Sequence, residues 1–127
     1  MKTLRTTRAR YPVALAWSAF WIVASFALAH HGWSDYDESK TLNLTGVIQE
    51  STYGSPHGTL RLQVSGENAA TWLCILAPPS RMTRRGLSAE MLKLGTTVSV
   101  TGYPHRKEAG EMRAERITAE GKTVELR

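Results

Sequence analysis

His30 and His31 stand together at the end of a segment shaped like a secretion signal, and cleavage after Ala29 makes His30 the first residue of the mature chain. A terminal histidine offers an α-amine and a ring nitrogen to one metal ion, and imidazole is a favoured ligand for copper and zinc. Two further histidines, His57 and His105, each follow a proline in a turn-rich stretch. Nitrogen donors drawn from a terminus and two loops suit the tetragonal geometry that Cu(II) prefers. His31 can stand in for either loop ring. Met112, near the end of the stretch that begins at His105, is a soft thioether suited to Cu(I). The expected metal is copper, with His30, His31, His57, His105 and Met112 as candidate ligands. The competing reading treats the histidines as ordinary solvent-facing loop residues. No cysteine-paired zinc-finger spacing is present.

The export reading rests on three parts in order. Lys2, Arg5, Arg8 and Arg10 come first with no acid among them, an apolar run over 13–28 follows, and Ala27-Leu28-Ala29 closes the segment. An uncleaved anchor is the alternative, but about 16 apolar residues fall short of the roughly 20 that a spanning helix needs. Ser18, Ser25 and the small residues at the cut favour removal. A cut after Ala27 is also allowed and leaves Leu28-Ala29-His30, whose amine, two deprotonated amides and third-place imidazole can grip Cu(II) in a square plane. The expected location is periplasmic or secreted, with membrane contact only through the uncleaved signal.

Removing residues 1–29 changes the meaning of the charge. The chain has 16 Lys+Arg and 11 Asp+Glu, and four of the basic residues lie in the signal, so the mature chain carries a net charge of +1. The basic character belongs mainly to the discarded segment and gives no argument for nucleic acid. What remains suffices for one small domain. Residues 30–40 read as a polar arm that Trp33 and Tyr36 would pin down, and 41–127 as the domain itself. Cys74 is the only cysteine, so no intramolecular disulfide can form. It shares a face with Trp72 and Leu76, which makes it a core thiol in one reading and a soft copper ligand in the other.

The elements that must carry these residues follow a period of two. Leu42, Leu44, Gly46 and Ile48 line one face of a first strand; Leu60, Leu62 and Val64 mark a second, and 70–76 a third. Pro78-Pro79 ends the third. Ser88-Ala89-Glu90-Met91 begins a short helix that reaches Lys93 and closes at Gly95. Val98, Val100 and Gly102 mark a fourth strand, 113–118 a fifth and 124–126 a short sixth, with Tyr103-Pro104-His105 opening the loop between the fourth and fifth. This order predicts a mainly β fold: a small OB-like barrel of five to six strands, with one short helix between strands three and four, preceded by a cleaved signal peptide. In such a barrel the loops holding His57 and His105 flank one ligand-binding face.

Arg81, Arg84 and Arg85 form a basic cluster, read as a solvated face or an anion site. Glu111, Arg113, Glu115 and Arg116 read as an exposed, salt-bridged strand. No carboxylate pair or Ser–His neighbourhood points to hydrolysis.

The pattern His30-His31-Gly32-Trp33-Ser34, Leu44-Thr45-Gly46, Pro56-His57, Ala77-Pro78-Pro79-Ser80-Arg81-Met82, Arg85-Gly86-Leu87, Gly102-Tyr103-Pro104-His105 and Glu111-Met112-Arg113-Ala114-Glu115 resembles a secreted bacterial family, domain of unknown function 6152. The resemblance covers essentially all of the mature chain. It implies a small exported β-domain and assigns no activity. In outline the arrangement is also similar to small-barrel periplasmic copper chaperones that use His, Met and Trp, although their motif spacing is not reproduced. The leading expectation is an exported copper carrier or buffer rather than an enzyme. The alternative is a metal-free OB-like module in which Tyr53 and Tyr103 recognise a peptide, glycan or other envelope component. A terminal-histidine copper oxidase ranks third, because so small a domain leaves little room for a substrate surface.

Overall fold

The structure is a computed structural model, and it describes residues 32–127. The expected signal segment, both expected cleavage registers, His30 and His31 lie outside the described residues. Among the described residues, no helix is long and apolar enough to cross a membrane.

Alternation of apolar and polar side chains builds six strands: β1 (Leu42–Thr52), β2 (Thr59–Val64), β3 (Ala70–Ile75), β4 (Thr97–Pro104), β5 (Glu111–Ala119) and β6 (Lys122–Glu125). In β1, Leu44 and Ile48 are buried while Asn43, Thr45 and Val47 face outward. The first part of β1 pairs with β4 and the later part with β2, both antiparallel. Between Ile48 and Glu50 the register with β2 shifts, so Gln49 forms a bulge. A bulge bends and coils its strand, which is what lets one strand serve two sides of a small barrel. It also ends the clean alternation at Ile48, so the strand runs past the end that the pattern suggests.

β3 pairs with β2, and residues 73–75 of β3 pair in parallel with residues 111–113 of β5. β5 pairs with β4, completing a closed ring in the order β1-β2-β3-β5-β4, with β6 added to β5 outside it. This is the OB-like barrel, with the helical connection between the third and fourth strands. Its core includes Leu44, Ile48, Leu60, Leu62, Cys74, Leu76, Val98, Val100, Met112 and Ile117. Each fully buried Leu or Ile contributes about 1.5–3 kcal/mol of burial energy.

The helix differs from expectation. Pro78-Pro79 does follow the end of β3, but Pro79 opens α1 (Pro79–Arg84), where its missing N–H costs no helical hydrogen bond. Met82 of α1 is buried in the core. Gly86, with φ +81°, follows the end of α1. The stretch expected to be the helix forms only a 3₁₀ turn, Ala89–Leu92, in which Ser88 makes no side-chain capping bond. The basic cluster therefore lies in and just after α1. Arg81 donates to the Leu126 carbonyl at 3.1 Å, and Arg85 donates to the carbonyls of Glu125 at 2.7 Å and Arg127 at 2.8 Å. Two of its three arginines thus fasten the C-terminal segment.

Gly102 marks the tightest crossing. β4 and β5 shift register there, and a Cβ at this position would meet the Arg113 carbonyl oxygen and come within 2.8 Å of Met112 Cε. Gly102→Ala is expected to cost about 1–3 kcal/mol from overpacking, lowering the melting midpoint by several degrees; an unchanged midpoint would contradict this crossing.

Candidate functional site

The arm is not a free tether. Trp33–Asp35 forms one 3₁₀ turn, and Tyr36 then makes an isolated antiparallel bridge with His105. The Asp37 N–H donates to the Pro104 carbonyl at 2.9 Å, and the Arg106 N–H donates to the Asp35 carbonyl at 2.8 Å. Tyr36 is 1% exposed, and its hydroxyl donates to Glu111 Oε1 at 2.6 Å. The Trp33 ring lies 5.1 Å from the Arg113 guanidinium and 4.4 Å from that of Arg127, with the Tyr103 ring at 6.3 Å edge-on. Arg127 also pairs with Glu38 at 2.8 Å. That ion pair is exposed and adds little, so the buried Tyr36 ring and the stacked indole hold most of the dock.

These contacts overturn one expectation. Arg116 does form an exposed ion pair with Glu125, but Glu111 and Arg113 are not part of a solvated strand. Arg113 is 8% exposed, and Glu111 accepts the Tyr36 hydrogen bond. Their alternation on β5 is visible in the sequence, but the arm that covers them lies 75 residues away from Glu111 along the chain.

The histidines are placed unequally. His57 lies in the β1–β2 connection, half-buried, beside Gly58, which exchanges backbone bonds with Leu76 and Ala77 after β3. His105 sits immediately after β4, because Tyr103 and Pro104, expected in the loop, belong to the strand. Its Nδ1 accepts the N–H groups of Lys107 at 3.0 Å and Glu108 at 2.9 Å. A neutral imidazole accepting at Nδ1 carries its proton on Nε2. A metal on Nε2 would need that proton moved to Nδ1, where two N–H donors already point. His105 would have to surrender its turn bonds to become a ligand.

Register relates the strands from which the two loops leave. Thr59 faces Ile75, Ile75 faces Arg113, and Arg113 faces Tyr103, making one row across β2, β3, β5 and β4. His57 lies two residues before that row and His105 two residues after it, on strands that run the same way. The two loops therefore leave the row in opposite directions along the strands. Among the described residues, no group of three or more His, Cys, Asp and Glu could hold a metal ion.

The sulfur atoms belong to the core. Met112 is the second residue of β5, fully buried, and faces Cys74 across the parallel pairing. Burial pushes the Cys74 thiol up from 9.0 to about 12, so it stays protonated at neutral pH and offers no thiolate. The tyrosines are also engaged: Tyr53 donates to the Leu87 carbonyl at 2.7 Å and Tyr103 to Glu115 Oε2 at 2.8 Å.

Burial, and then the hydrogen bond to Glu111, push the Tyr36 phenol well above its ordinary 10.0. The folded state favours the neutral ring, so this contribution is complete below about pH 10 and is lost as pH rises further. Cys74 adds a loss in the same direction from about pH 9 upward. Tyr36→Phe should remove the tyrosine part of the alkaline loss, seen as a shallower fall in denaturant midpoint above about pH 10. It should also cost about 1–2 kcal/mol at neutral pH by leaving the half-buried Glu111 carboxylate without that donor. An alkaline profile identical to the parent would contradict the Tyr36–Glu111 bond.

No curated protein matches this sequence. Among solved structures, a chain in the crystal structure of a complex of TiaS with an isoleucine transfer RNA and ATP is similar over 72% of this chain and 20% of its own, with 18% identity and a TM-score of 0.48. A family described as "Family of unknown function (DUF6152)" matches residues 19–113. By that match, which spans most of its length, the chain belongs to the DUF6152 family.

Proposed function

We propose that the protein is an exported copper carrier or buffer that holds the ion at its processed N-terminus. The carrying observation is the docking of Trp33 over Arg113, in the middle of the row that joins the two histidine loops. Residues 30 and 31 directly precede Gly32 in the sequence. Cleavage after Ala29 would add an α-amine and two imidazoles to the loop rings as candidate donors.

His57 is the favoured loop ligand. His105 has its Nδ1 committed to the turn at Lys107 and Glu108, and its more economical role is to receive the arm through Tyr36. Met112 contributes packing from inside the barrel, so the site is an all-nitrogen one suited to Cu(II).

Mature protein carrying His57→Ala should bind Cu(II) at least about tenfold more weakly, a loss of about 1.4 kcal/mol. His105→Ala should change the affinity far less while lowering thermal stability. Equal, undiminished affinity in both variants would remove the loop ligand, and loss of affinity only in His105→Ala would reverse the assignment.

A further inference from the structure

The arm docks in the manner of an added peptide strand. Main-chain bonds from Asp37 to Pro104 and from Arg106 to Asp35 bracket the Tyr36–His105 bridge. Beside this short ladder lie two side-chain receptacles. One takes Tyr36 down to Glu111; the other takes Trp33 among Arg113, Arg127 and Tyr103. Backbone pairing for affinity and side-chain pockets for selectivity is the general logic of strand addition.

Charge complements the shape. The arm carries Asp35, Asp37 and Glu38 between and beside its aromatic residues, and the barrel meets them with arginines. Glu38 pairs with Arg127 at 2.8 Å and Asp37 approaches Arg106 at 3.8 Å. The Arg106 side chain also donates to the Ser34 carbonyl at 3.1 Å. The segment Trp33-Ser34-Asp35-Tyr36-Asp37-Glu38 is thus a resident ligand of aromatic and acidic character on an arginine-lined surface.

Only residues 39–41 join this segment to β1, and the bonds the linker makes back to the segment all go to Asp37, from the Lys40 N–H to its carbonyl and from the Ser39 N–H and hydroxyl to its carboxylate, with the Lys40 ammonium 3.4 Å from that carboxylate. We infer that the outer surface of β4 and β5 is a peptide groove that accepts in trans what it holds in cis, the Trp33 to Glu38 arm of a second copy of this chain. Exchange of identical arms replaces each contact with its equivalent, which is the low-cost route to a swapped pair. This inference goes beyond the copper reading and stands without it.

The test uses the full mature chain carrying Trp33→Ala and Tyr36→Ala, titrated calorimetrically with a synthetic peptide of residues 32–41 standing for the second copy's arm. The expected result is one peptide per chain, bound at least about tenfold more tightly by the variant than by the parent, whose groove is filled. Binding should weaken in ~0.5 M salt relative to ~0.05 M, as charge screening requires, and should weaken again when the peptide carries Asp35→Asn, Asp37→Asn and Glu38→Gln. If circular dichroism shows the double variant unfolded, Trp33→Ala alone replaces it, with the same ordering expected against the parent. Absence of binding at millimolar peptide to a folded variant, or equal binding to variant and parent, would overturn the inference.

Discussion

Three residues of parallel pairing, 73–75 of β3 against 111–113 of β5, close the sheet on itself. Without them β3 would be a free edge along its length, and the core side chains Cys74 and Met112 would lose each other across the seam. The same pairing fixes where the outward residues fall. It puts Arg113 between Ile75 and Tyr103, and so creates the surface on which Trp33 stacks and beside which Tyr36 is buried. Arm, groove and histidine loops are all positioned relative to this seam.

The arm is therefore a structural part of the barrel. Tyr36 is as deeply buried as the central leucines, and its hydroxyl is matched by Glu111. Apolar burial holds the ring, while the hydrogen bond fixes its orientation. A copper site at the terminus would be attached to this docked arm, and preorganisation of that kind lowers the entropy cost of binding. Inside the barrel, Cys74 remains a neutral thiol among apolar neighbours.

Strand identity is legible in the sequence wherever one face is buried and the other wet. Leu44 and Ile48, Leu60 and Leu62, and Val98 and Val100 point inward as their alternation requires, and the strand order implies the OB-like closure. What escapes the pattern has local causes. The bulge at Gln49 breaks the period within β1, which hides its continuation to Thr52. A diproline that ends a strand also starts a helix, because Pro79 sits where no N–H is needed; the shorter Ser88 segment, though it resembles a cap, lacks the length to form an α-helix. Met112 reads as the end of a loop because β5 begins two residues earlier than its alternation suggests. The pairing of Tyr36 with Glu111 and of Trp33 with Arg113 and Arg127 is long-range, and no local spacing encodes it.

The most direct measurement is a Cu(II) titration followed by electron paramagnetic resonance, on protein exported from its natural precursor, with the N-terminal mass determined on the same sample. The expected result is a terminus at His30 and one tight equivalent of copper whose spectrum shows nitrogen hyperfine structure. Weak, nonstoichiometric binding to a chain with that terminus would contradict it and leave the arm and its groove as the working surface of the protein.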